Sequence, residues 1–280
     1  MLVKPEGPRR LARIGIVTTV LITLVALMSM LLPPAVDWHE TFRPAILEIL
    51  QGRSPYNVDG FYNPPWGLLP LIPLGWFPES VGRAILVILG LASYIYVAHR
   101  LGAKPFAVFF LLISPPVFHV IFNGNTDWIA TLGFVLPPQI GLFFISTKPQ
   151  IGIAVGLFWL VQSWQQGGLG QTVKTFGPFT IVFFVSLILF GPWPLRVFET
   201  GKITGSASLW PMSIPVGLAL FVTAIRRKKI EYAMAASPCL SPYLLLHSWV
   251  GALLAIISSV PETIAAVIGL WILVAIRYFS

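Results

Sequence analysis

The run Ile14-Gly15-Ile16-Val17-Thr18-Thr19-Val20-Leu21-Ile22-Thr23-Leu24-Val25-Ala26-Leu27-Met28-Ser29-Met30-Leu31-Leu32 leads straight into Pro33-Pro34-Ala35-Val36-Asp37-Trp38-His39-Glu40. Its first part carries no charge and is about as long as the roughly 20 residues a spanning helix needs. Lipid offers the backbone no hydrogen bonds, so a continuous apolar run of this kind reads as a helix. The carboxylate just beyond it completes the pattern. An acid held at the membrane surface, at the mouth of a helix bundle, is costly unless it pairs or works. Asp37 is therefore the leading candidate for a general base, or for a carboxylate that orients an acceptor. The structural alternative is an N-cap for the following helix, a position Asp suits.

The whole chain agrees with this reading. Of its 280 residues, 56% are hydrophobic and 10% charged, where soluble domains carry about 25% charge. The mean hydropathy is +0.83. We expect a single all-α polytopic membrane domain over residues 1–280. The formal charge of +8 does not imply nucleic acid, because the basic residues collect at segment ends. Arg9, Arg10 and Arg13 precede the first run, and Arg226-Arg227-Lys228-Lys229 follows a later one. The positive-inside rule makes both cytoplasmic, with the N-terminus inside and residues 33–63 and 193–209 outside. The first run is too long for a signal-peptide core and reads as a retained helix. The single cysteine, Cys239, excludes an internal disulfide and a cysteine metal cluster.

Candidate spans are 12–32, 64–78, 80–99, 105–122, 126–146, 149–164, 177–192, 210–225, 238–257 and 262–279, giving an expectation of roughly eight to ten crossings. Prolines interrupt many of them: Pro70, Pro73, Pro115-Pro116, Pro137-Pro138, Pro149 and Pro178. Broken helices persist in membranes where they face protein or a wet cavity, so a cavity-forming bundle is expected. Trp38, Phe42, Ala45, Ile46, Ile49 and Leu50 recur at helical spacing, so 37–51 reads as an external amphipathic helix in the interface. Ser54-Pro55-Tyr56 and Tyr62-Asn63-Pro64-Pro65-Trp66 are turns with interfacial aromatics.

Other polar residues in apolar surroundings are candidates. His247 either bonds a neighbouring helix or lines a polar path, and an unperturbed imidazole can donate or accept protons near neutrality. In His119-Val-Ile-Phe-Asn123-Gly124-Asn125-Thr126-Asp127, Asn123 and Asp127 read as a turn and a helix cap. His119 and Asn125 are evenly divided between turn and site. Lys148, in Ser146-Thr147-Lys148-Pro149-Gln150, either snorkels or meets a phosphate beside an exposed helix terminus. Arg43 and Arg53 are rival phosphate ligands. No P-loop, His-Glu-x-x-His or Gly-x-Ser-x-Gly motif is present, and the acids are too scattered for a metal cage. No metal or other cofactor is expected.

Taken in order, Asp37, Gly52-x-Ser54-Pro55-Tyr56, Tyr62-Asn63-Pro64-Pro65, Gly124-Asn125-x-Asp127, Thr147-Lys148-Pro149-Gln150 and Ser241-Pro242-x-x-x-x-His247 resemble one family. It is the GT-C glycosyltransferases of the polyprenyl-phosphate-mannose-dependent, mycobacterial-type α-mannosyltransferase group. The resemblance spans roughly residues 12–257. It implies a GT-C-like bundle in a bacterial plasma membrane, with an extracytoplasmic site. That site would move a hexose, mannose for this group, from a polyprenyl-phosphate donor to a lipid or glycan acceptor. Asp37 would be the base, His247 a second catalytic residue and Lys148 the partner of the donor phosphate. Arg53, Tyr56, Asn63, His119 and Asn125 would complete the substrate site. The family usually runs longer, so part of the acceptor module would be missing or supplied by a partner subunit, or the chain would be a shortened relative that has lost activity. Two competing expectations are a non-catalytic subunit of a larger assembly and a transporter or flippase, for which broken helices also suit.

Overall fold

In the computed structural model the described residues are 7–196 and 205–279. The centre of the expected external loop 193–209, residues 197–204, lies outside them, as does the side chain of Arg9 from the N-terminal basic cluster. The described residues are helical or loop, with no strand among them. The helices are α1 (Gly7–Leu31), α2 (Arg43–Leu50), α3 (Glu79–Arg100), α4 (Pro105–Leu112), α5 (Pro115–Asn123), α6 (Asp127–Leu132), α7 (Pro138–Ile145), α8 (Pro149–Phe190), α9 (Ile214–Arg227), α10 (Ile230–Cys239), α11 (Val250–Ala255) and α12 (Val260–Phe279).

The all-helical membrane character agrees with the sequence, but the described residues do not confirm a count of eight to ten crossings. Among the described residues four helices, within α1, α3, α8 and α12, are long and apolar enough to cross a membrane. A fifth is reached if α4 and α5, bent by 51° at Ser114-Pro115, act as one broken span. The other apolar segments are cut below spanning length. Pro70 and Pro73 remove backbone donors, and the segment 64–78 becomes a 3₁₀ helix, Pro65–Trp76. Pro137-Pro138 separates α6 from α7. The expected span 238–257 is α10, a loop, a 3₁₀ turn Leu246–Trp249 and α11.

The outer helices show why lipid is required. α1 carries Ile14, Ile16, Val20 and Ile22 exposed around its circumference, an arrangement stable only in hydrocarbon. Its C-terminal end is tied in by Arg83, whose guanidinium donates to Leu32 O at 2.6 Å.

α8 is two arms rather than one rod. Gly167 and Gly168 leave helical dihedrals, and Gly168 takes φ +59°, which glycine tolerates without strain. Ser163 Oγ donates to Thr175 Oγ1 at 3.2 Å. In a straight helix twelve residues would separate these atoms by ~18 Å, so the chain reverses here and the arms lie side by side.

The stretch 37–51 is a π-helical turn, Asp37–Phe42, running into α2. The face that periodicity assigns to the interface is covered by protein: Trp38, Phe42, Ala45 and Ile46 are buried. Trp38 Nε1 donates to Glu79 O at 3.1 Å, and His39 Nδ1 lies 2.7 Å from Glu79 Oε1, fixing the turn on the start of α3.

Gly124 ends α5 in the left-handed region, φ +66°. A Cβ there would lie 2.7 Å from Trp38 Cβ and 3.0 Å from Ala35 Cβ. The missing side chain lets the Asp37 turn press against residues 124–125. Gly124→Ala adds both φ strain and overlap, so it should cost about 1–3 kcal/mol, seen as a lowered melting temperature of the purified protein in detergent.

Candidate functional site

A cavity of about 850 Å³ opens between the α7–α8 junction, both arms of α8, the Asp37 turn and the loop after α10. One end is polar. Asp37, Thr41, Tyr62, Asn63, Asn125, Ser146, Thr147, Lys148, Gln150, Ser241 and Tyr243 line it. The remainder is hydrocarbon: Ile153, Leu157 and Leu160 from the first arm of α8 face Phe176, Phe179 and Phe183 from the second. Lys148 to Leu160 is twelve residues of helix, so the trough runs ~18 Å from the charged end. Ile153, Leu157 and Leu160 are exposed, so this part opens toward the surroundings of the bundle.

Asp37 does not act as a cap. Val36 holds the N-cap position with no side-chain cap bond. The carboxylate instead accepts from Asn125 Nδ2 through Oδ2, at 2.5 Å. Asn125 is fixed in turn, because its Oδ1 accepts from Thr126 N at 2.6 Å, which aims the amide NH₂ at Asp37. Among the described residues the Asp37 side chain makes no other hydrogen bond, and it lines the cavity half-buried.

Lys148 precedes the first residue of α8, its side chain 11% exposed. Its Nζ lies 3.3 Å from Asp127 Oδ1 and 6.0 Å from the Phe42 ring centroid. The contact with Asp127 Oδ1 is an ion pair without hydrogen-bond geometry, and the ammonium carries three donors at the cavity wall. The segment 146–148 between α7 and α8 is held by two side chains: Asn63 Nδ2 donates to Thr147 O at 2.9 Å, and Trp66 Nε1 to Ser146 Oγ at 3.2 Å.

Asp127 is the residue that sequence reasoning misplaced. It occupies the first turn of α6, but its side chain makes no cap bond and is fully buried. Oδ2 lies 2.6 Å from His247 Nδ1 and accepts from Ser248 Oγ at 2.8 Å. Nδ1–H donation to the carboxylate leaves the His247 Nε2 lone pair, which has no partner, beside the His119 ring at 5.1 Å between centroids. The available signal was scarcity: in so apolar a chain, an acid, a lysine and a histidine within the apolar segments tend to be partners.

The other candidates fall into two groups. Asn63 and Asn125 line the cavity with Asp37 and Lys148. His247 and His119 do not. His247 is fully buried behind Lys148, and His119 bonds Asn123 through that amide's Nδ2 at 2.9–3.3 Å. Arg53 is also off the cavity. It forms a two-pronged pair with Glu48, supported by Asn57 donating to the same carboxylate, which holds Glu48 at about 2. Tyr56 is a structural residue. Its hydroxyl donates to Asn63 O at 2.9 Å, and its ring stacks on Trp193 at 6.1 Å. No group of His, Cys, Asp and Glu among the described residues could hold a metal ion.

Compared with protein-family profiles, curated proteins and solved structures, the chain matches none. The GT-C resemblance therefore stands on the motifs alone.

Removing one member of a buried ion pair leaves the other uncompensated. Asp127→Asn should cost about 3–5 kcal/mol, and pairing it with Lys148→Met should recover part of that loss. A double-mutant cycle on thermal or denaturant unfolding should return a coupling of about 1–3 kcal/mol.

Proposed function

We propose that this protein is a membrane-embedded transferase that moves a hexose from a polyprenyl-phosphate donor to a hydroxyl of a lipid or glycan acceptor. The observation that carries the reading is one cavity with a carboxylate and an ammonium at one end and a hydrocarbon trough at the other. A lipid-linked sugar phosphate has the same order of parts: a polar sugar, an anion and an apolar chain.

The residues divide the work as follows. The donor phosphate lies at Lys148 and the start of α8, where the ammonium and the positive end of the helix dipole both favour an anion. The prenyl chain runs between the arms of α8. The acceptor hydroxyl sits against Asp37. As the hydroxyl oxygen attacks the anomeric carbon, its proton passes to the Asp37 carboxylate. The bond from anomeric carbon to phosphate oxygen breaks with inversion, and the polyprenyl phosphate leaves with the electron pair. Lys148 and the helix terminus stabilise the charge that develops on that oxygen.

His247 takes a supporting part in this scheme. It and Ser248 hold Asp127, and Asp127 holds Lys148 at the cavity wall. Asn125 orients Asp37 in the same way. The cavity lining supports giving Asp37 and Lys148 the roles that the resemblance implies, whereas His247, buried off the cavity against Asp127, is assigned a positioning role instead.

The test is transfer in membranes or nanodiscs with a polyprenyl-phosphate hexose. Asp37→Asn should lower kcat by about 10²–10⁴-fold, the usual contribution of a general base, with donor binding retained. Lys148→Gln should weaken donor binding and lower kcat. Full activity of Asp37→Asn would remove the proposal. Counterflow of an intact lipid with no covalent product would replace it with a transport reading.

A further inference from the structure

Within the hydrocarbon trough, one position lacks a side chain without a packing reason. Gly152 and Gly156 lie one helical turn apart on the first arm of α8, and both line the cavity. Gly152 is required by its neighbours. A Cβ there would fall 2.5 Å from Ile145 Cβ and 2.6 Å from Ile145 O, so the residue lets α7 and α8 touch. Gly156 meets no such wall. A Cβ would find only Ile145 Cδ1, at 3.6 Å, an ordinary contact. Nor does its backbone take the positive φ that glycine favours.

Glycine is the poorest helix former after proline, and alanine the best. Alanine would fit position 156 and favour the helix, so what the glycine provides there is space. Ile153, Leu157 and Leu160 share its face of α8, and Phe176, Phe179 and Phe183 face them across the cavity. Gly156 is thus a gap in a hydrocarbon wall. It stands eight residues, or ~12 Å, along the helix from Lys148.

We propose that Gly156 sets the chain-length selectivity of the cavity. It is the point where a long prenyl chain, its phosphate held at Lys148, passes closest to α8. This rests on reading the cavity as a polyprenyl-phosphate site. A chain of two isoprene units ends near this point and does not depend on the gap. A polyisoprenoid chain must run past it. A side chain at 156 therefore excludes long donors and spares short ones, acting as a steric stop rather than through charge.

The experiment is equilibrium binding of two radiolabelled probes, geranyl phosphate and a long-chain polyprenyl phosphate, to the full chain in nanodiscs. Wild type, Gly156→Ala and Gly156→Leu are compared, with melting temperatures measured in parallel. Gly156→Leu should bind the long chain at least about tenfold more weakly, a change of 1.4 kcal/mol, while geranyl phosphate binding stays within about threefold. Gly156→Ala should fall between wild type and Gly156→Leu for the long chain. Both variants should melt no lower than wild type, since each removes a helical glycine. Equal long-chain affinity in all three proteins overturns the inference. So does a parallel loss of both probes, or a wild type that binds neither. No sugar is transferred in this assay. A protein that discriminates chain length as expected but fails to transfer a hexose therefore keeps the inference and loses the transferase reading.

Discussion

A fully buried carboxylate holds this site together. Asp127 lies in an apolar interior, where an isolated charge is prohibitively expensive. It is retained because groups from two distant parts of the chain converge on it: His247 and Ser248 from the 3₁₀ turn after the loop 240–245, and Lys148 from the start of α8. The carboxylate therefore joins three elements that share no local sequence. Buried ion pairs are weak contributors to net stability but strong constraints on geometry, since breaking one strands its partner. The constraint here is on Lys148, whose ammonium could otherwise swing freely on its four-carbon stem.

The shape of the cavity follows from that anchoring. With Lys148 fixed, the N-terminus of α8 faces the polar end, and the helix must run away from it along the trough. The Gly167-Gly168 reversal returns the chain, so the second arm supplies the opposite wall. Trp66, Phe179 and Trp193 pack edge to face at 5.6–5.7 Å and close one side. On the other flank Gly124 lets the Asp37 turn approach Asn125. An acid and a cation thus meet the same space, each held by a side chain of the segment Asn125-Thr126-Asp127. The bundle behaves as a scaffold whose breaks, rather than its regular helices, build the site.

Much of this was legible in the sequence where the signal is local. Long apolar runs with charged residues near their ends gave α1, α3 and α12. Pro115-Pro116 and Pro137-Pro138 marked real breaks, because a proline removes a donor whatever surrounds it. Asp37 stood out for the same kind of reason, being an acid directly after a spanning run. What depended on distant contacts was not legible. Asp127 at the start of a short helix looks locally like a cap, and only a partner 120 residues away shows otherwise. The segment 238–257 has the composition of a span, yet it is cut by the loop that lines the cavity. Arg53 seemed a free cation, although Glu48 five residues earlier on the same side of a turn was a sufficient hint of their pairing.

The central claim is that this cavity takes a phosphate at Lys148 and a prenyl chain between the arms of α8. The most direct test is cross-linking of a polyprenyl phosphate that carries photoreactive groups along its chain, with the labelled residues mapped by mass spectrometry. The account predicts labels on Ile153, Leu157, Leu160 and Phe176 to Phe183, abolished by excess unlabelled polyprenyl phosphate and weakened by Lys148→Gln. Labels confined to the lipid-facing surfaces of α1 and α12, and indifferent to competitor and to Lys148, would contradict it.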